Sequence, residues 1–166
     1  YNATKSYINE ILKLIRETHM GESRPPASSD GIGTKGFYHW QERSFKNATL
    51  DALSMNLNDM AVMRARTSYL QDHIIFPKDD EEGIFEIIGS LVGECKKREI
   101  QITAGETSIH NDFPGLEISI AVQGSYINYK RNKFEIGDSL IGIRSSGLHS
   151  NGFTKVRELF KDEFRH

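Results

Sequence analysis

Asp30-Gly31-Ile32-Gly33-Thr34-Lys35 places a carboxylate, glycines, a hydroxyl and an ammonium within one short stretch. Glycines let backbone amides come close to a phosphate, lysine neutralises it as a point charge, and aspartate can hold a magnesium ion bridging phosphate oxygens. The spacing is neither that of a P-loop nor that of a dinucleotide fingerprint. Alone, the stretch reads equally as a plain turn. Asn58-Asp59 adds an amide and a carboxylate late in a helical run, and Glu106, within Gly105-Glu106-Thr107, is expected at the end of a strand. Strand ends are where α/β proteins commonly place ligand residues. Asp30, Asp59 and Glu106, together with Lys35, suit magnesium and a polyphosphate, because magnesium takes a few carboxylates plus phosphate oxygens and waters. For each acid by itself, a solvated surface carboxylate is the competing reading.

A further group lies near the C-terminal end. Ser145-Ser146-Gly147-Leu148-His149-Ser150-Asn151-Gly152 sits between the apolar run Leu140-Ile141-Gly142-Ile143, a strand by composition, and a tail with apolar residues at helical spacing. Such a strand-to-helix loop offers hydroxyls, an amide and free backbone N–H groups to a polar ligand. His149 could donate to a phosphate or act as a general acid or base, the alternative being a histidine that orders the loop. The six histidines show no paired zinc spacing, and His110 with Asp112 reads as solvated loop.

These residues need a scaffold. With 166 residues the chain is expected to form one domain that buries its own core. A net charge of −2 without a sustained basic run disfavours nucleic acid as a partner. No apolar run approaches the ~18 residues needed to span a bilayer, and no signal-peptide pattern opens the chain, so the expected setting is cytoplasmic, away from membranes. The single cysteine, Cys95, falls in the apolar stripe of a helix and is expected in the core.

Helical periodicity predicts a helix over 4–19, ended by Gly21 and Pro25-Pro26, and a second from an Asn47 cap to about Arg66. In that second helix Leu50, Leu53, Leu57, Met60 and Ala61 share an apolar face, while Asp51, Ser54 and Asn58 lie on the other side. A third helix begins at Asp79-Asp80-Glu81-Glu82 and ends at Lys96-Lys97-Arg98, matching the sign of the helix dipole. Strands are expected at 27–30, 68–76, 100–103, 116–122 and 140–143, with loops at 31–36 and 128–138, and a final helix from Phe153. The order predicts an α/β layer of the α+β type, a mixed sheet with helices on one face.

Four motifs in this order make the chain resemble the phosphoribosylformylglycinamidine cyclo-ligase family, also called AIR synthetase, within the AIR synthase-related superfamily. They are Asp30 to Lys35, Ser54-Met55-Asn56-Leu57-Asn58-Asp59, Gly105-Glu106-Thr107, and Gly137-Asp138 through Gly152. Two departures stand out. Ala104 replaces the first glycine of a usual Gly-Gly-Glu-Thr, and Arg64-Ala65-Arg66-Thr67 replaces a Gly-Ala-Glu-Pro-like stretch.

The resemblance implies an ATP-dependent ring closure of formylglycinamidine ribonucleotide to aminoimidazole ribonucleotide in purine biosynthesis. By carry-over, Asp30, Asp59 and Glu106 would serve Mg2+ and the ATP phosphates. Gly31, Gly33, Thr34 and Lys35 would meet the phosphates, Asn58 would support Asp59, and Lys35 and His149 would be the catalytic groups. Ser146, Gly147, His149, Ser150 and Asn151 would face the substrate. The implied architecture is a homodimer in which two four-stranded sheets pair across the interface, residues 1–166 being an N-terminal, ATP-binding domain without its C-terminal partner domain. Other readings are another ATP-using member of the superfamily and a non-catalytic nucleotide-binding dimerisation module.

Overall fold

The computed structural model describes residues 5, 7–18, 24–129, 133–149 and 151–160. Thr4, His19, Gly21 and Ser150, each named above, lie outside the described residues. Helix α1 (Tyr7–Glu17) is followed by strand β1 (Ala27–Gly31), a 3-10 turn (Gly33–Lys35), and helices α2 (Gly36–Gln41) and α3 (Phe45–Val62). Strand β2 (Ala65–Phe76), helix α4 (Glu81–Lys97), strands β3 (Gln101–Ile109) and β4 (Glu117–Tyr126), and helix α5 (Phe153–Leu159) complete the order.

The four strands form one mixed sheet in the order β1-β4-β2-β3. β4 runs antiparallel to both β1 and β2, while β2 and β3 are parallel, joined through α4. Alternation decides the faces: Leu70, Ile74 and Phe76 of β2 and Ile118, Ile120 and Val122 of β4 are buried, and Tyr69, Gln71 and His73 point the other way. The buried set packs against α3 and α4, each such side chain contributing about 1.5–3 kcal/mol of burial. The helix-covered sheet is as expected. Its opposite face carries a cleft of about 1030 Å3 between Ile15 of α1 and Tyr69, Gln71, Ala121 and Gln123.

Helix α4 is as the charges predict, with Glu81 and Glu82 in its first turn, Lys96 and Lys97 in its last, and the Asp80 carboxylate accepting from Gly83 N at 3.0 Å. Cys95 is a core residue, and burial pushes its thiol up. Helix α3 differs in two ways. It starts at Phe45 with Ser44, not Asn47, at the cap position, and its buried face is Phe45, Ala48, Thr49, Ala52, Leu53, Asn56 and Met60. The small residues Ala48 and Ala52 admit close approach, so Leu50 and Leu57 move to half-buried flanks and Ala61 to the surface.

Three strand expectations are corrected. β2 begins three residues before Ser68, at Ala65, because Arg64 takes a left-handed φ of 55° that ends α3 and turns the chain directly into the sheet. β3 runs through to Ile109, so Gly105-Glu106-Thr107 is paired with β2 rather than emerging from a strand end. Leu140-Ile141-Gly142-Ile143 is not a strand: Leu140, Ile141 and Ile143 are at least 90% exposed. A strand needs a neighbour to satisfy its backbone, and among the described residues none is offered there. The 31–36 loop is in turn tighter than expected. The 3-10 turn runs straight into α2, and Gly36 packs so closely that a Cβ would stand 1.6 Å from the Leu116 carbonyl oxygen.

Candidate functional site

β1 is the edge strand nearest α3, and that contact gathers the first carboxylates. Asp30 lies opposite Ile120 and therefore on the helix-covered side of the sheet, at its exposed margin. Two residues earlier, on the same side, the Ser28 hydroxyl stands 3.0 Å from Asp59 Oδ2 and 3.2 Å from Asn56 Oδ1. Asn56 is fully buried, and its Nδ2 donates to the Asp30 carbonyl oxygen at 3.2 Å and to the Ala52 carbonyl oxygen at 3.0 Å. Asn56 thus ties α3 to β1, bringing Asp30 and Asp59 to one margin of the molecule. Asn58 is exposed, and the hydrogen bond that meets the Asp59 carboxylate is that of the Ser28 hydroxyl, which also contacts Asn56. Asp30 Oδ1 accepts from Gly31 N at 2.8 Å, which fixes the carboxylate at the start of the turn.

Gly33 has φ 55°, and Gly33 and Thr34 are exposed. Lys35 returns inward, its ammonium 2.9 Å from Asp51 Oδ2 on α3. His39 Nε2 is 3.0 Å from the same oxygen. Burial pushes the Asp51 carboxyl up, but hydrogen bonds from His39 and Lys35 outweigh it and hold the group below the usual carboxylate range. Asp51 and His39 were not among the expected site residues. The available signal was the four-residue spacing of Lys35 and His39, which puts both on one face of a helical turn.

Glu106 stands apart. It pairs with His73 in register, so it lies on the sheet face opposite Asp30, with Ser108 Oγ 3.5 Å from His73 Nε2 beside it. Three strand spacings, about 14 Å, separate its strand from β1. Among the described residues no three His, Cys, Asp or Glu side chains gather as a metal site. Asp30 and Asp59 supply hard, exposed oxygen donors at a shared margin, which fits the one or two carboxylates that magnesium takes when phosphates and waters complete its shell.

The octapeptide is exposed throughout its described part: Ser146, Gly147, His149 and Asn151 all face solvent. Ser145 Oγ donates to the Gly147 carbonyl oxygen at 2.9 Å, a local turn in which Gly147 has φ 135°. Its C-terminal end is tied to the first half of the site through α5. The Phe153 ring is 5.3 Å from that of Tyr38 and 5.8 Å from Lys35 Nζ, and Arg157 lies over Phe37 at 5.1 Å. Hence Phe153 and Lys35 are neighbours although more than a hundred residues separate them in sequence.

The family model described as AIR synthase related protein, N-terminal domain, matches residues 25–126, from the chain before β1 to the end of β4. The chain belongs to that family. A phosphoribosylformylglycinamidine cyclo-ligase of Saccharolobus solfataricus is 32% identical over 95% of this AIR synthase-related chain and 54% of its own length. The chain spans about half the length of the curated relatives it matches. A thiamine-monophosphate kinase from Stenotrophomonas maltophilia superposes with a TM-score of 0.52 at 18% identity, covering 74% of this chain and 42% of that one. The hydrogenase maturation protein HypE, solved in complex with ATP, gives 0.50 at 16% identity over 74% of this chain and 37% of that one. At such identities the likeness shows the AIR synthase-type fold. The octapeptide lies outside the 25–126 match.

Proposed function

We propose that this chain carries the nucleotide-binding half of a phosphoribosylformylglycinamidine cyclo-ligase. The observation that carries the reading is the joining of Asp30 and Asp59 at one margin by Ser28 and Asn56, in a chain whose curated relatives bear that name. In this reading Asp30 and Asp59 hold the magnesium of MgATP, and Thr34, Lys35 and the amides of Gly31 and Gly33 meet its phosphates. Asn58 lies on the same exposed stretch of α3 and adds an amide to that margin. When bound, MgATP supplies a phosphoryl group that turns the formyl-amide oxygen of formylglycinamidine ribonucleotide into a good leaving group.

The chain's own residues position the reactants and handle charge. The Lys35 ammonium offsets negative charge on the phosphoryl oxygens in a partly enclosed setting, where such a charge acts more strongly than in water. Ser146, Gly147, Ser150 and Asn151 orient the substrate, and His149 holds or releases a proton as the amidine nitrogen attacks the activated carbon and phosphate departs. Homodimerisation belongs to the reading, since a second copy would cover the open sheet face on which Tyr69 is 48% exposed. Glu106, on that face, would join a site only through such pairing.

The test is to give the full-length protein ATP, magnesium and formylglycinamidine ribonucleotide and look for aminoimidazole ribonucleotide, ADP and phosphate. Product formation that requires all three supports the reading. Folded, ATP-binding protein that gives no product would point to another ATP-using member of the superfamily or to the non-catalytic module.

A further inference from the structure

Lys35 is engaged before any ligand arrives. It shares one oxygen of Asp51 with His39, and His39 Nδ1 in turn faces Ser44 Oγ at 2.8 Å. The row Ser44, His39, Asp51, Lys35 is therefore continuous, drawn from the start of α3, from α2, from the next turns of α3 and from the 3-10 turn. The Lys35 and His39 side chains are only 11% and 13% exposed, and Asp51 is 32% exposed. Ser44 holds the cap position of α3, yet its hydroxyl makes no capping hydrogen bond, because it is turned to the imidazole. A cap given up to orient a histidine marks the row as more than a chance surface contact.

The charges facing this row are few. Asp51 meets Lys35 and His39. α5 turns the Phe153 ring toward Lys35, while its own Lys155 and Glu158 pair with each other and Arg157 lies over Phe37. With a neutral imidazole, one carboxylate balances one ammonium. A phosphate at Lys35 competes with Asp51 for the same N–H donors, and a half-buried carboxylate stripped of its cation is costly. An imidazolium at His39 would restore the balance without moving either element.

We propose, resting on the reading of Lys35 as a phosphate ligand, that His39 is a positioning residue: it takes up a proton from solvent as Lys35 turns from Asp51 to a polyphosphate. In the neutral ring Nε2–H donates to Asp51, and Nδ1 accepts from the Ser44 hydroxyl. On binding, Nδ1 gains the proton and donates to Ser44 Oγ, whose hydrogen rotates away. Binding of polyphosphate is thereby coupled to proton uptake.

The test is titration calorimetry of the full-length protein with MgATP and with magnesium tripolyphosphate, in buffers of different ionisation enthalpy, at several pH values above 7. The wild type should take up a proton on binding, and its affinity should fall with rising pH wherever that uptake is measured. His39→Gln keeps a donor toward Asp51 and should bind without uptake and with a flat pH profile. Asp51→Asn, which leaves no carboxylate to rebalance, should also bind without uptake. Thermal melts of both variants check that they are folded. Equal uptake by wild type and His39→Gln, or binding by the wild type without uptake, overturns the proposal while leaving phosphate binding intact. Wild type that binds neither probe overturns the phosphate reading, and this inference with it.

Discussion

Asp30 and Asp59 stand on a strand and a helix that pack on each other, whereas Ser146, His149 and Asn151 stand on a segment that, among the described residues, has no strand neighbour and no buried side chain. Asn56, fully buried between α3 and β1, decides the position of the first pair through three polar contacts. Among the described residues, the second set is anchored at its far end, where Phe153 meets Tyr38 and Lys35. One half of the site inherits its geometry from the fold. The other carries exposed polar side chains that, among the described residues, lack such a buried tether. Substitutions should therefore separate activity from stability differently in the two halves.

The largest effect is expected at the carboxylate margin. Asp59→Asn in the full-length protein should lower turnover on the order of 10³-fold by weakening the hold on the magnesium of MgATP, with little change in melting temperature because Asn still accepts from Ser28. Steady-state kinetics beside a thermal melt checks both parts, and normal turnover would remove Asp59 from the site. At His149→Ala the expected loss is on the order of 10²-fold in substrate-dependent turnover. Calorimetric ATP affinity should be largely kept, and stability should stay within about 0.5 kcal/mol, as at other exposed positions. Equal loss of ATP binding would erase the distinction between the halves.

How far the sequence carries the structure follows the same division. α4 was legible because its signals are local: acids in the first turn, bases in the last, and Asp80 reaching Gly83 three residues on. The order of the four motifs was legible for the same reason. The buried face of α3 was not, because Thr49 and Asn56 look like surface residues until Asn56 finds the Asp30 and Ala52 carbonyls. Such partners come from tertiary contact, which periodicity does not record. The Thr103–Ile109 part of β3 lacks apolar alternation and exists as strand through its parallel pairing with β2. At 140–143 the error is the reverse: an apolar run of strand-like composition that has no neighbouring strand among the described residues. The Lys35, Asp51 and His39 cluster was missed because its acid lies 16 residues from the lysine and on another helix.

Asn56→Ala tests the fold-determined half directly. It removes one side chain, leaves the Ser28 hydroxyl with Asp59 as its acceptor, and takes the side-chain donor from the Asp30 and Ala52 carbonyls, so a loss of about 1–3 kcal/mol is expected. Chemical denaturation measures it. The same variant should weaken MgATP binding, because Asp30 and Asp59 then lose their common tether. Stability lost without any change in nucleotide affinity would mean that Asn56 serves packing alone.

The smallest expected effect is the acid response of the folded body. The Asp80 carboxyl is held below its ordinary range first by its hydrogen bond to Arg43, then, against the opposing effect of burial, by the Gly83 amide. A carboxyl whose folded pKa is depressed contributes stability that is fully present above its unfolded value, about 3.9, and is lost as pH falls through the folded value. Asp51 has the same sign, so acidification below about pH 4 should weaken the wild type progressively. Asp80→Asn should lower stability at neutral pH and flatten the acid limb of the curve, because the variant has no proton to take up there. Denaturation midpoints measured from pH 7 to pH 3 check the slope. An acid limb in Asp80→Asn as steep as in the wild type would take the response away from the α4 cap and leave it to Asp51 in the Lys35 cluster, or to Glu94, which Lys97 and Arg98 also hold low.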